Sequence, residues 1–189
     1  GVPLGAMLEG GYDLRALAAS VSATLEALAD GGEERSVEAD EVTYNLHILL
    51  RFELENDMLE GKVKIADLPD AWNEKMETYL GILPPDDAQG VLQDIHWSGG
   101  MLGYFPTYSL GNLISVQIFD QVKADIPSLA DQIAAGKFDE LLNWLRENVY
   151  QHGRKYTPAE LVKRVTGTDL TAANYITYIR SKFSDIYDL

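Results

Sequence analysis

Four side chains that could take part in binding or catalysis lie within five positions of one another: Gln93, Asp94, His96 and Trp97. Glycines and aromatic residues crowd the surrounding stretch, 90–106, and this composition favours a shaped loop over a regular helix. An imidazole in such a loop can donate a hydrogen bond to a carbonyl group of a bound molecule. The alternative is a buried polar cluster, in which His96 and Asp94 satisfy backbone groups and hold the loop.

Two further pairs of residues have spacings that could support chemistry. The hydroxyl groups of Tyr104 and Tyr108 could stabilise negative charge on an oxygen atom, although packing of both rings on a glycine-rich turn is the preferred interpretation. Asp40 and His47 lie seven residues apart, so they share one face of a predicted helix. They could act as ligands, but a solvated or core-anchoring role is preferred for both.

Helical periodicity and helix-stop signals organise the rest of the chain and place these residues. Only Lys62-Val63-Lys64-Ile65 alternates like a strand, and it is too short to build a sheet. The sequence therefore predicts an all-α fold. Apolar spacing, caps, glycines and prolines place helices at about 13–30, 36–60, 69–80, 107–126, 128–135, 138–152, 157–165 and 171–187.

Burial can be predicted from the same periodicity. The last helix is expected to bury five residues: Tyr175, Ile176, Ile179, Phe183 and Ile186. The three tryptophans, Trp72, Trp97 and Trp144, are expected to be mostly buried.

The composition excludes several classes of function. Lys+Arg 15 against Asp+Glu 30 gives a net charge of −15, which repels phosphate backbones and anionic lipids. Neither nucleic acid nor a membrane is therefore an expected partner. The absence of cysteine excludes disulfides and thiolate chemistry and favours a cytoplasmic location. Because the chain begins at Gly1 rather than at Met, we expect that residues precede it in the native protein.

A motif in the glycine-rich segment supports a specific family. Residues 90–97 read GVLQDIHW and fit the pattern GxxQDxHW, with five fixed letters at fixed spacing. Flanking segments also match, at 39–48, 103–112, 144–148 and 178–183. Over residues 37–189 the chain resembles the carboxypeptidase Taq family of zinc metallocarboxypeptidases. The resemblance implies the C-terminal helical part of a gluzincin-like fold, shared with neurolysin and angiotensin-converting enzyme.

Zinc is the cofactor that the resemblance implies, bound in the family by an HExxH helix and a downstream glutamate. Two imidazoles one helical turn apart reach the same ion, and the intervening glutamate accepts a proton from the metal-bound water. The histidines here are His47, His96 and His152, and none belongs to an HExxH motif. We therefore predict no zinc ligand in this chain and expect it to be inactive by the family mechanism.

The resemblance also implies contacts to a peptide substrate, made by Gln93, Asp94, His96, Trp97, Tyr104 and Tyr108. His96 would donate to a peptide carbonyl, and the tyrosines would stabilise an oxyanion. The family's IRxxAD motif aligns at Ala39 and Asp40, but Ser36 occupies the arginine position and Arg35 lies one residue earlier. An offset of about 100° around a helix would disturb a bidentate pair with the peptide's terminal carboxylate.

Residues 1–32 carry a different likeness. The string LEGGYD at residues 8–13, followed by an Ala- and Leu-rich helix, resembles the C-terminal tail of histone-deacetylase-like amidohydrolases. Tyr12 matches the tyrosine that polarises the acetyl carbonyl beside zinc in that family. The domain division predicted from both resemblances is 1–32 and 33–189.

Three functional hypotheses follow. The first is the C-terminal lobe of a metallocarboxypeptidase, with a peptide as substrate and a missing N-terminal lobe or a second copy as partner. The second is a non-enzymatic helical module for interaction or oligomerisation, because a half-cleft without its other lobe would expose apolar surface. The third, a deacetylase fragment, depends on Tyr12 alone.

Overall fold

The computed structural model describes residues 41–188, and its helices account for nearly all regular structure there. Across these residues there are seven α-helices and three short 3-10 turns, with no strand, so the predicted all-α fold is confirmed for them. None of these helices is long and apolar enough to cross a lipid bilayer. The helices are α1 (Tyr44–Leu59), α2 (Leu68–Leu80), α3 (Pro106–Asp125), α4 (Leu129–Ala134), α5 (Asp139–Asn148), α6 (Pro158–Thr166) and α7 (Ala173–Tyr187).

The described residues divide into two compact units, and residues 41–110 make up one of them. In it, α1 packs against α2. Leucines spaced four residues apart along α1 form one apolar face, which is buried together with the apolar side of α2. The most deeply buried members of this core are Leu46, Leu50, Leu54, Trp72 and Met76. Full burial of each such side chain stabilises the fold by roughly 1.5–3 kcal/mol.

Gly111–Ile186 form the second unit. Val122, Ile126 and Leu129 make a buried cluster where α3 turns into α4. Buried Gln117 on α3 fixes the segment after α6. Its Nε2 donates to the Thr168 hydroxyl (2.9 Å), and its Oε1 accepts from the Thr171 N–H (3.1 Å). One side chain thus bonds to both a hydroxyl group and a backbone N–H group of this segment.

The local signals for helix ends were reliable where they involve caps and glycines. The predicted capping box is present, because the Glu160 N–H donates to the Thr157 hydroxyl and the Glu160 carboxylate accepts from the Thr157 N–H. Gly81 ends α2 with a φ of 65°, a left-handed conformation that costs glycine little. The short helix after Ser128 and the irregular segment 90–105 are also confirmed.

The structure corrects one predicted boundary. The helix predicted from Ser36 begins at Tyr44, and residues 41–43 form a turn with Thr43 at the N-cap. Residues 62–65 form no strand, because the chain bends there and enters a 3-10 turn at Ile65. The predicted helix at 13–30 and the domain boundary at residue 32 lie outside the described residues.

One burial prediction was wrong. Ile186 is 56% exposed, because it lies in the last turn of α7 beyond Phe183, the final buried residue of that helix. Trp97 and Trp144 are partly exposed but mostly buried, as predicted. Each indole N–H donates to a carboxylate, that of Glu55 for Trp97 and that of Asp125 for Trp144. Ile176 is half-buried, and the burial of Trp72 is confirmed.

Candidate functional site

Asp94 organises the loop that connects α2 to α3. Its carboxylate Oδ1 accepts the backbone N–H groups of His96 (2.9 Å) and Trp97 (3.0 Å), a local side-chain-to-backbone turn that aspartate favours. The Asp94 side chain has no exposed surface. Because two hydrogen bonds hold the backbone at residues 96 and 97, the direction of the His96 side chain is fixed.

Both ring nitrogens of His96 have partners. Nδ1 lies 3.3 Å from Asp94 Oδ2, and Nε2 lies 3.0 Å from the Tyr108 hydroxyl. A carboxylate can only accept hydrogen bonds, so Nδ1 carries the proton in the neutral ring. Nε2 is then an acceptor, and the Tyr108 hydroxyl donates to it. Tyr108 lies in the first turn of α3, so this bond ties the loop to that helix.

Arg51 on α1 balances the buried charge of Asp94. Its Nη1 lies 3.3 Å from Asp94 Oδ2, the same oxygen that faces His96. The guanidinium also lies over the rings of Trp72 (5.5 Å) and Phe105 (5.8 Å), a cation–π arrangement. Burial lowers the pKa of Arg51 from its ordinary value, and the charge of Asp94 acts in the opposite direction. The ion pair therefore keeps a buried carboxylate compensated.

Glu55 anchors the loop to α1 at two separate points. Its Oε2 accepts the Trp97 indole N–H (3.1 Å), and its Oε1 accepts the Gly103 backbone N–H (2.6 Å). Glu55 is itself buried. Because Trp97 lies in the middle of the glycine-rich stretch and Gly103 near its end, one carboxylate holds the loop at two positions.

Aromatic packing surrounds the imidazole. The ring of His96 lies 4.9 Å from that of buried Phe105 and 6.1 Å from that of Tyr104. Tyr104 is 48% exposed, and its ring lies 5.5 Å from that of Tyr108. An imidazole and two phenol rings are therefore grouped at one place, with Tyr104 on the solvent side.

The first glycine of the GxxQDxHW pattern has a packing role. A Cβ atom at Gly90 would lie 3.2 Å from the backbone oxygen of Asp86 and 3.4 Å from Cβ of Pro84. Such contacts are tighter than side chains normally make, so only glycine fits here without a shift of the loop. Gly90 is therefore needed in the pattern because other parts of the chain pack closely against its backbone.

The remaining predicted site residues are not joined to this network. The Gln93 residue is exposed, and no contact of its side chain with the His96 network is seen in the part of the chain that the structure covers. Arg35, Asp40 and Tyr12 lie outside the described residues. His47 is buried with its ring against the edge of Trp72 (5.7 Å), as expected for a core-anchoring residue. Burial is the main cause that lowers its pKa to about 4.

Sequence reasoning missed two residues that hold the site, Arg51 and Glu55. A signal was available, because His47, Arg51 and Glu55 are spaced four residues apart and so form a polar stripe along α1. A polar stripe on the buried side of a helix indicates partners elsewhere in the fold. The sequence gives no direct indication that those partners are Asp94, Trp97 and Gly103.

The donors present do not fit a zinc ion. Within residues 41–188 no three His, Asp or Glu side chains are grouped as metal ligands would be. Both nitrogens of His96 are already engaged by Asp94 and Tyr108. Catalytic zinc needs three protein ligands around an open position, and the described residues do not provide such a set.

Comparison with known proteins agrees with the motif. The sequence model of the carboxypeptidase Taq (M32) metallopeptidase family matches residues 31–183. The chain belongs to this family. The predicted resemblance is thereby confirmed.

Two curated relatives and one solved structure illustrate the similarity to M32 proteins. The chain is 46% identical to thermostable carboxypeptidase 1 of Pyrococcus furiosus over 146 residues, covering 77% of this chain and 29% of that protein. It is also 46% identical to thermostable carboxypeptidase 1 of Thermus thermophilus over 151 residues, covering 80% and 30%. The M32 carboxypeptidase structure from Deinococcus radiodurans superposes with a TM-score of 0.77 at 46% identity, covering 82% and 32%.

These matches confirm the helical, gluzincin-like fold predicted from the resemblance. The chain spans about 30% of the length of the curated M32 relatives it matches. The shared region includes the Asp94, His96 and Tyr108 network, since the family match runs from residue 31 to residue 183.

Proposed function

We propose that this chain is the peptide-binding, C-terminal part of an M32 metallocarboxypeptidase, the class of enzyme that removes single residues from peptide C-termini. The observation that carries the proposal is the grouping of three side chains: His96 and Tyr104 lie on a loop held by Asp94 and Glu55, and Tyr108 lies beside them in the first turn of α3. Held in this way, the polar groups lose little conformational entropy when a ligand binds. The names of the relatives, thermostable carboxypeptidases, support a peptide as the ligand.

The two tyrosine hydroxyls suit the carbonyl oxygens of a peptide. The exposed Tyr104 hydroxyl can donate a hydrogen bond, and the His96–Tyr108 pair can rearrange so that Tyr108 donates to a ligand instead of to the imidazole. Arg35 is proposed to hold the terminal carboxylate of the peptide, one position away from the family's arginine. Zinc belongs to the family's chemistry, and we propose that this chain neither binds it nor hydrolyses peptides alone.

A titration tests peptide binding directly. We expect a short peptide with a free C-terminus to shift the NMR signals of His96, Tyr104 and Tyr108, and His96→Ala to weaken binding. Tyr150→Phe, which changes an exposed tyrosine in the other unit, serves as the matched control and should bind normally. An amidated peptide should bind more weakly if Arg35 holds the carboxylate.

Two results would contradict the proposal. A peptide at millimolar concentration that leaves these signals unchanged would show that the network only holds the loop. Stoichiometric zinc binding with release of C-terminal residues would show instead that the chain is a complete enzyme.

Exposed apolar side chains on the same loop favour a second candidate, a non-enzymatic interaction module. Leu92, Ile95 and Leu102 are 70%, 69% and 53% exposed. Apolar side chains concentrated on one loop are typical of a contact surface. The proposed partner is the rest of a carboxypeptidase fold or a second copy of this chain. Sedimentation should show self-association that Leu92→Ser with Ile95→Ser removes, and a monomer at all concentrations would argue against a homodimer.

The third hypothesis, a deacetylase fragment, depends on Tyr12. We expect no release of acetate from acetyl-lysine peptides, and turnover that Tyr12→Phe abolishes would revive it. A cytoplasmic location stays a proposal that depends on the absence of cysteine.

A further inference from the structure

Asp94, His96 and Tyr108 form a linear chain of hydrogen bonds from a carboxylate through an imidazole to a hydroxyl. The distances are 3.3 Å from Asp94 Oδ2 to His96 Nδ1 and 3.0 Å from His96 Nε2 to Tyr108 Oη. A hydroxyl next to a base, with the base oriented by a third group, is the arrangement that activates nucleophiles in enzymes. Here the hydroxyl belongs to a phenol.

Two features of the surroundings orient His96 to accept the Tyr108 proton. The buried Asp94 fixes the proton on Nδ1 and would stabilise an imidazolium ion, as a carboxylate does for a catalytic histidine. The Asp94 position is itself fixed by Arg51 and by two backbone N–H groups.

We propose that Tyr108 is an activated phenol nucleophile that takes an acyl group from activated esters. Tyr108 is half-buried, so part of the residue is in contact with solvent, and the proposal requires that a small reagent reach its oxygen. This activity goes beyond peptide binding and does not depend on it, because the reagent need only reach one atom.

The proposed reaction conserves atoms and charge. Tyr108 Oη attacks the carbonyl carbon of the ester while its proton passes to His96 Nε2. The new bond joins Oη to the acyl carbon, the bond from that carbon to the aryl oxygen breaks, and the aryl oxide leaves. The imidazolium then returns its proton to solvent, which leaves a tyrosyl ester and neutral His96.

Tyr150 provides an internal reference in the same molecule. It is 58% exposed and has no hydrogen bond to a histidine among the residues that the structure covers. If exposure alone controlled the reaction, Tyr150 would be acylated faster than the less accessible Tyr108. If the hydrogen-bonded base controls it, the order is reversed.

The experiment uses p-nitrophenyl acetate and the intact chain. Nitrophenolate release is followed by absorbance, and acetylation at each tyrosine is followed by peptide mass spectrometry. A positioned general base contributes roughly 10²–10⁴-fold, and Tyr108 is less accessible than Tyr150, so we expect Tyr108 to be acetylated at least about tenfold faster. His96→Gln should reduce the Tyr108 rate to about that of Tyr150, with the fold checked by circular dichroism. Tyr150→Phe should leave the Tyr108 rate unchanged.

Three outcomes would overturn the proposal. The first needs no variant: acetylation of Tyr108 in the unmodified chain at a rate equal to or below that of Tyr150. The second is an unchanged Tyr108 rate in a folded His96→Gln variant. The third is a burst of nitrophenolate without an ester at Tyr108, which would show that another group of the chain takes the acyl group.

Discussion

At the residue scale, His47 illustrates how burial sets the behaviour of a titratable group. Its side chain is 6% exposed, and its ring lies against Trp72 near Arg51 and Asp94. Burial and then the charge of Arg51 lower its pKa from 6.5 to about 4, and Asp94 only partly opposes them. His47 is therefore a neutral part of the core at pH 7, which explains why it serves packing rather than ligand binding.

The burial of His47 predicts that the folded chain is less stable in acid. Between pH 6.5 and pH 4 the unfolded chain binds a proton at residue 47 that the folded chain does not, so stability falls as the pH falls. The two pKa values correspond to about 3 kcal/mol at and below pH 4. We expect His47→Phe, which keeps a ring but cannot titrate, to reduce the loss of unfolding free energy between pH 7 and pH 4 by about this amount.

Urea unfolding of the unmodified chain and of His47→Phe at several pH values measures the effect. The difference between the two proteins cancels the titration of the carboxylates, which both proteins share. If the stabilities of the two proteins change in parallel from pH 7 to pH 4, His47 takes up its proton as readily in the folded chain as in the unfolded chain, which would contradict the prediction.

At the element scale, Glu55 connects α1 to two positions of the glycine-rich loop. Removing it leaves the Trp97 indole N–H and the Gly103 N–H without their acceptor. Hydrogen bonds to a charged group contribute roughly 1.5–3 kcal/mol each, and buried donors without partners add a penalty. We expect Glu55→Ala to reduce the free energy of unfolding by about 3 kcal/mol and to speed hydrogen exchange at Gly103.

Glu53, two residues earlier on α1, provides the matched control. It pairs with Lys75 (2.6 Å) and Tyr79 (2.5 Å), and its side chain is 36% exposed. An ion pair in contact with solvent contributes about 1 kcal/mol or less to stability. We therefore expect Glu53→Ala to reduce the free energy of unfolding by less than Glu55→Ala does, and to leave hydrogen exchange at Gly103 unchanged. Equal losses for both variants would show that Glu55 has no special role in holding the loop.

Element boundaries could be predicted from the sequence wherever a local chemical signal marks them. The Thr157 and Glu160 pair, Pro158 and the glycines act over one turn, so their effect is visible in a short stretch of sequence. The start of α1 was predicted too early because Ser36 is only one of several residues able to cap a helix. Ile186 was assigned to the core because periodicity cannot show where the packing partners of a helix end.

The residue types that form the site could be predicted from the sequence, but the contacts between residues far apart in the chain could not. The loop and its candidates, His96, Tyr104 and Tyr108, follow from a local cluster of residue types. Glu55 meets Trp97 and Gly103 across 42 and 48 positions of the chain, and periodicity contains no information about such contacts. Gln93, although part of the fixed motif, has an exposed position that no local pattern reveals.

At the scale of the whole molecule, the excess of negative charge opposes folding. The chain carries a net charge of −15. Its acidic groups are closer together in the folded state than in the unfolded state, so they repel one another more strongly there. Surface ion pairs such as Lys123 with Asp120 (2.7 Å) and Lys163 with Asp169 (2.9 Å) act in the opposite direction. Such pairs contribute little individually, so the uncompensated charges should dominate the response to salt.

We therefore expect sodium chloride to stabilise the chain. The Debye length falls from about 30 Å at 0.01 M salt to about 8 Å at 0.15 M, which screens long-range repulsion more than contacts at short distance. An increase of about 1 kcal/mol in the free energy of unfolding would raise the Tm by roughly 3 °C. Calorimetry in a salt series measures this shift, with an uncharged osmolyte of equal osmolality as the control. A Tm that falls with added salt would mean that the surface ion pairs outweigh the repulsion among the excess acids.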